Sequence, residues 1–437
     1  MLTLLLLALS LAVFAISYIT VRDFFSPLKF YFMYLFFFYF DIFLNVQHNA
    51  VYFSYTAYLI LGILMLPFEH VHYKNLMRVI KNRLRIFSTN IHKYLTIVLF
   101  LSAIPLIAQL LFIQSMGGLE AYLFSMVERV LVWQGMGHYI FFINFMKPIN
   151  ILFFLILLFF RGSYKKIWIL IFVVHFIITV LMGLISGSRS SILLLLLVYF
   201  ISYNYFVARI KLFTVFILVI TFAFLLAFLQ IFRTKNFITN DGFESIISGK
   251  VDMIKEVKNS PDFRSGIIPI EQLYFATFTN LQYGQTYITS ITNFIPRYIW
   301  KAKPESGGTT LTKFIQKREW GGTTAFSTGL IGEGIINFGY YFGYFVAFII
   351  GCLIFNLCFH YFIITKKVIT QVINEKEVPT RKFFLYIYML LYALQLPGML
   401  SAGEFTNMMY NFFLNYLIAF IITKSIFSRN KDLLIIS

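Results

Sequence analysis

The chain has 437 residues, 59% of them hydrophobic and 12% charged, with a mean hydropathy of +0.80. Soluble domains carry about 25% charged residues, so this composition excludes a soluble fold and indicates a polytopic membrane protein. The net charge of +18 comes without zinc-finger spacing or a basic helix, so nucleic acid is not the indicated partner; a positive-inside bias plus a site for anions accounts for it.

Apolar length predicts about eleven transmembrane helices, near 2–19, 30–47, 51–68, 94–116, 139–160, 167–186, 191–207, 212–232, 328–365, 383–400 and 407–427. No small-residue cleavage site follows the first, which reads as a retained span. The ninth is too long for one simple crossing, and its early glycines, Gly329 to Gly343, suggest a bent or re-entrant entry. The expected class is all-α, with three parts. Residues 1–232 form an N-terminal membrane bundle of about eight spans, 233–327 a large external loop, and 328–437 a C-terminal bundle of about three spans. No internal repeat is visible, which argues against repeat-built transporter folds.

Cations set the orientation. The connections 69–93, 161–166, 208–211 and 366–382 and the C-terminal tail are rich in Lys and Arg, whereas 48–50, 117–138, 187–190 and 401–406 are poor in them. The first group is therefore expected in the cytoplasm and the second outside, with the N-terminus outside. The 233–327 loop carries twelve cations and eight acids and falls on the outer side. Long loops cross regardless of charge. Structureless loops of this length are rare, so short helices are expected within it, one near 241–258 and one from Pro269 and Glu271.

Several stretches suit phosphate chemistry. Ser186-Gly187-Ser188-Arg189-Ser190-Ser191 places an arginine among hydroxyls and backbone donors where a helix begins; a snorkelling anchor is the simpler alternative. Arg233 leaves the eighth span at its outer end. Asn293-Phe294-Ile295-Pro296-Arg297-Tyr298-Ile299-Trp300-Lys301-Ala302-Lys303-Pro304 has three cations, no acid and two prolines that forbid continuous helix. Arg297 offers fork-like contacts, and Lys301 and Lys303 act as point charges. Tyr298 and Trp300 belong at headgroup depth. Glu333, in Gly332-Glu333-Gly334, is costly at a membrane mouth unless paired or used; burial would raise its pKa towards that of a general base. A structural ion pair with Arg189, Arg233 or Arg297 is the alternative. Glu404 is a second outward acid, expected to contact substrate, and Asp41 a weaker candidate. The seven histidines are scattered, and Cys352 and Cys358 occupy different helix faces, so no metal site is expected. No Walker loop, dinucleotide fingerprint or G-x-S-x-G occurs, so no cofactor is indicated.

The order of these features resembles the O-antigen polymerase (Wzy-type) family of oligosaccharide repeat unit polymerases. The matching residues are Gly187-Ser188-Arg189, Arg233, Ile295 to Pro304, and Gly332-Glu333 with Asn337-Phe338-Gly339. The resemblance covers about 180–345, and Pro-Arg-x-x-Trp-x-x-Lys-Pro is its most specific part. It implies a GT-C-like, metal-independent glycosyltransferase in a bacterial cytoplasmic (inner) membrane, with its active site facing the exterior or periplasm. Such an enzyme polymerises undecaprenyl-pyrophosphate-linked oligosaccharides into O-antigen or capsule, among membrane lipids and alongside a chain-length regulator protein. Arg189, Arg233 and Arg297 would offset leaving-group charge, with Glu333 as base and Lys301, Lys303, Tyr298, Trp300 and Glu404 binding substrate. O-antigen ligases use a histidine in the external loop, and this loop has none. A lipid-linked oligosaccharide flippase is the alternative from another class.

Overall fold

A computed structural model describes residues 2–22, 24–80, 84–125, 132–133, 135–161, 163–185, 189–208, 210–211, 213–215, 217, 221, 264–275, 280–295, 299–316, 326–427 and 431–436. Most of the expected eighth span, 212–232, and the helix near 241–258 lie outside these residues. The chain divides into two compact units. The first holds Met1–Asn75, Asn259–Ile363 and Tyr392–Leu414, and the second holds Leu76–Lys258, Ile364–Leu391 and Asn415–Ser437. The boundaries cut through both expected membrane bundles.

In chain order the described helices are α1 Leu2–Thr20, α2 Pro27–Phe38, α3 Asn49–Ile80, α4 Ile91–Ser115, α5 Leu119–Ser125, α6 Gly137–Ile143, α7 Met146–Phe159, α8 Ile167–Ile185, α9 Arg189–Phe206, α10 Ile268–Phe275, α11 Gln285–Thr292, α12 Gly307–Gln316, α13 Gly329–Phe338, α14 Tyr340–Glu375, α15 Thr380–Ala393, α16 Leu396–Met399 and α17 Phe405–Ile426. Among the described residues, seven stretches are long and apolar enough to cross a membrane: α1, residues 49–71 of α3, α4, α6 with α7, α8, α14 and α17. The expected helix from Pro269 is α10, with Pro269 at its second residue.

Three of the eleven expected spans are broken. Residues 30–47 form α2 and then a short 3-10 turn, Phe40–Phe43. Residues 383–400 end α15 at Ala393 and restart as α16, where Pro397 fits the first turn. Residues 328–365 divide at Gly339, whose φ of +77° suits glycine. The two pieces, α13 and α14, fold against each other at Gly334 and Gly343, and a methyl group on either glycine would collide with the other's backbone. Gly343→Val is therefore expected to abolish folded protein, read as loss of a monodisperse peak in detergent. A normal peak would remove this backbone contact as a requirement.

The described residues are mostly helical, consistent with an all-α membrane protein, and the second unit adds one small sheet to the helices. Strands β1 Leu84–Phe87, β2 Glu377–Pro379 and β3 Lys431–Ile436 form an antiparallel sheet in the order β1-β3-β2. Leu84 opposes Ile436, and Val378 opposes Asp432. Asp432 is buried and accepts from Thr380 Oγ1 at 2.7 Å and from the Tyr94 hydroxyl at 3.3 Å. The strands come from three separate cation-rich connections: 69–93, 366–382 and the C-terminal tail. Paired strands lie about 4.8 Å apart, so these three share one side, as their charge implies.

In the first unit, part of the 233–327 segment packs against residues 41–48, beside the cation-poor connection 48–50. Arg264 Nε lies 3.1 Å from Asp41 Oδ2, and its Nη2 lies 3.2 Å from Glu271 Oε2. His48 packs on Tyr274 with ring centres 4.0 Å apart. Asp41 also accepts from Asn45 and Gln47, so it anchors the 233–327 segment to the turn after α2.

Candidate functional site

The site is organised around α13, which is short, wholly packed, and not among the candidate crossings. Its first-turn donors are satisfied from two directions. Leu330 N donates to Leu400 O at 2.9 Å. Ile331 N donates to the Tyr58 hydroxyl at 3.0 Å, and Tyr58 passes the bond on to Leu400 O. At the other end, Gln282 N and Tyr283 N donate to Ile336 O and Asn337 O, both at 3.0 Å. Gly284 N donates to Asn337 Oδ1 at 2.9 Å. Tyr283 and Gly284 take φ of +46° and +87°, which turns the chain into α11.

Glu333 projects from the middle of α13 and is fully buried. Its Oε1 is 2.9 Å from Thr286 Oγ1 and 3.0 Å from Thr406 Oγ1, and its Oε2 accepts from Phe405 N at 2.9 Å. Asn337, one turn on, donates to Thr286 Oγ1 and to Glu333 O. Thr289 lies 3.0 Å from Thr406 Oγ1 and 2.5 Å from Thr286 O, and Thr406 lies 2.7 Å from Thr286 O. The cluster thus joins α11, α13 and the start of α17.

Hydrogens can be counted here. Thr286, Thr289 and Thr406 supply one hydroxyl hydrogen each, against five contacts among the three hydroxyls, Glu333 Oε1 and Thr286 O. A proton on Oε1 fills one of the two vacant contacts. No cation pairs with Glu333 among the described residues. Burial pushes its pKa up to about 8, the charge of Glu404 adds to the rise, and the bonds from Thr286, Thr406 and Phe405 oppose it. Counting and electrostatics agree on a neutral carboxyl at pH 7. The ion pair offered as an alternative role for Glu333 would use Arg189, Arg233 or Arg297, whose side chains lie outside the described residues.

The proline-framed stretch is held at both ends beside this cluster. It leaves α11, which carries Thr286 and Thr289, and it leads into α12. There a methyl group on Gly307 would stand 3.1 Å from Glu333 Cδ, so glycine permits the close approach. Gly308 N donates to Glu404 Oε1 at 2.8 Å. Glu404 Oε2 accepts from Asn407 Nδ2, and burial raises the Glu404 pKa while the bonds from Ser306 and Gly308 oppose the rise. Gly307 and Gly308 therefore lie between two carboxyl groups.

Within the stretch, Trp300 and Lys301 are exposed. Lys303 is half-buried, and its ammonium donates to Ile295 O at 3.1 Å and Thr292 O at 3.5 Å. It ties the far end of the loop to the C-terminus of α11, where carbonyls favour a cation. The described part of the loop is thus closed by its own lysine. Pro296, Arg297 and Tyr298 lie outside the described residues, as does Arg233. Arg189 is the first residue of α9 in the second unit, and its side chain lies outside the described residues.

Compared with protein-family models, curated proteins and solved structures, the chain matches none. The site therefore rests on its own geometry. That geometry brings together Glu333, Glu404, Lys303 and both ends of the 293–304 loop. Sequence reasoning missed Thr286, Thr289 and Thr406. The first two share a helix face at a spacing of three, a polar stripe in a greasy chain that could have flagged them. Among the described residues no group of three or more His, Cys, Asp or Glu could hold a metal.

Proposed function

We propose that the chain is a membrane glycosyltransferase that polymerises undecaprenyl-pyrophosphate-linked oligosaccharide repeat units into a surface polysaccharide. The observation that carries this reading is the anchoring of the Pro296–Pro304 loop through α11 and α12 onto the Glu333 cluster. The two most family-like stretches of the sequence then act as one device in the first unit. The loop's arginine and exposed Lys301 would hold pyrophosphate, and Trp300 would lie against lipid or sugar.

The division of labour between the carboxyls follows from exposure. A general base must reach the acceptor hydroxyl. Glu333 has no exposed surface, so its proposed role is to position the loop. Glu404 is half-buried at the same mouth and is the carboxylate suited to take the hydroxyl proton. The leaving group is a pyrophosphate, so cations that offset its charge supply the rest. Arg189 and Arg233 are proposed to contribute charge as well.

The test is polymerisation by the purified chain with lipid-linked repeat units, read as product length on a gel. Arg297→Ala is expected to stop elongation with the protein still folded in detergent. Glu404→Gln should slow transfer by about a hundredfold or more. Normal product length in both would sink the assignment. Intact polymer that the cell fails to attach to its final acceptor would instead favour a ligase, and repeat units trapped in the cytoplasm a flippase.

A further inference from the structure

The second unit contains a cavity of about 60 Å³ at one end of α4, α7 and α8. This is room for about two water molecules or for one compact group of that size. Phe112, Tyr122 and Trp133 form one wall, with Trp133 stacked on Tyr122 at 5.5 Å between ring centres. The polar groups that face it are Gln109, Asn144, Lys147 and Thr179, with no carboxylate among the lining residues.

Gln109 is the telling residue. It is 5% exposed, and neither its Nε2 nor its Oε1 makes a hydrogen bond of ordinary geometry, although the Tyr122 hydroxyl is near enough to interact with the amide. A buried amide left this way is destabilising, and a ligand in the cavity would give it partners.

The floor beneath the cavity is rigid. Tyr199 donates to Asn150 Oδ1, Asn150 Nδ2 to His175 Nδ1 at 2.6 Å, His175 Nε2 to Ser102 Oγ at 2.8 Å, and Ser102 to Val98 O at 2.8 Å. Each hydrogen has a place, and the imidazole is neutral. Thr179 is closed onto His175 O at 2.7 Å. Ser102, Asn150 and His175 lie on the same three helices as Gln109, Lys147 and Thr179, two turns or less further along. An ionisable side chain within a membrane bundle, here Lys147, marks a candidate site.

We propose that this cavity binds the phosphate headgroup of a membrane lipid. Lys147 supplies positive charge, and Gln109 and Asn144 supply amide donors. The lipid source is favoured over free phosphate because Ile107, Leu110, Leu111 and Leu181, on the helices that carry Gln109 and Thr179, are exposed apolar residues. They offer a track for a hydrocarbon tail. The site is separate from the one on the first unit and does not rest on the polymerase reading.

The experiment is calorimetric titration of the purified full chain, in a neutral detergent, with dodecyl phosphate, inorganic phosphate and dodecanol. Saturable binding of dodecyl phosphate is expected, with dodecanol failing to compete. Lys147→Met and Gln109→Leu should each weaken it about ten- to a hundredfold, and Lys147→Arg should retain most of it. Gel filtration checks folding, and Gln109→Leu carries the test if Lys147→Met does not fold. Unchanged affinity in folded variants, absence of saturable binding, or equal competition by dodecanol overturns the proposal. Inorganic phosphate that binds as tightly as dodecyl phosphate overturns the lipid assignment.

Discussion

Wild-type protein should lose thermal stability as pH rises from about 5 to about 8, and Glu333→Gln should remove that loss. The sign follows from proton uptake. The folded Glu333 carboxyl keeps its proton up to about pH 8, whereas its ordinary value is 4.5. Between those values the folded state binds more protons than the unfolded one, so stability falls with rising pH. Below about 4.5 and above about 8 this group contributes no slope. Gln keeps the acceptor for Phe405 N and replaces the carboxylic O–H on the side of Thr286 and Thr406 with N–H donors. Glu333→Ala should be far worse. It strips Phe405 N, Thr286 and Thr406 of a partner inside the protein, at about 1–3 kcal/mol for each group left unpaired. Thermal unfolding in detergent from pH 5 to 9 reads all three proteins. A flat wild-type profile would contradict a neutral Glu333, and a stable Glu333→Ala would deny the cluster its role in holding the loop.

Much of the membrane architecture follows from apolar length and cation placement. The sheet that joins the 84–87, 377–379 and 431–436 segments is consistent with the shared side their charges imply. The strands themselves were not legible. Lys-Asp-Leu-Leu-Ile-Ile alternates poorly, and its pairing partners, residues 84–87 and 377–379, are both far from it in sequence. Broken helices were harder still. Asp41 is the only charged residue from Phe36 to Phe43, yet the chain leaves α-helix before it, after Phe38, and Asp41 is drawn to Arg264 in the 233–327 segment. The division at Gly339 was half-visible as a run of glycines, because close backbone packing needs them. At the site, Glu333 and Glu404 stood out as acids in an apolar setting. The threonines that hold Glu333 did not, because a hydroxyl donor is common in any helix and only the fold brings Thr286 and Thr406 to one oxygen. The cavity lined by Gln109 and Lys147 had no local signature, since it is assembled from the ends of several helices.

Lys29→Met should destabilise the protein by about 3–5 kcal/mol, whereas Lys29→Met combined with Glu69→Leu should recover most of the loss. The Lys29 ammonium lies 3.6 Å from Glu69 Oε2, and both side chains are fully buried between α1, α2 and α3. Ser26 accepts from Lys29 at 3.0 Å, and Ser17 donates to Glu69 Oε2 at 2.9 Å. Glu69 Oε1 has no hydrogen-bond partner. Two charges taken out of water are costly, and a carboxylate oxygen left bare makes the pair a poor source of net stability. Its partners are needed all the same, because removing one strands the other charge in an apolar bundle. Removing both charges leaves Ser17, which can turn its hydroxyl to a carbonyl one turn back. The contrast between single and double variants separates these effects in one thermal unfolding series. A double variant as unstable as Lys29→Met alone would mean that the pair fixes the register of α2 against α3 through its geometry. A harmless single variant would mean that water reaches Glu69.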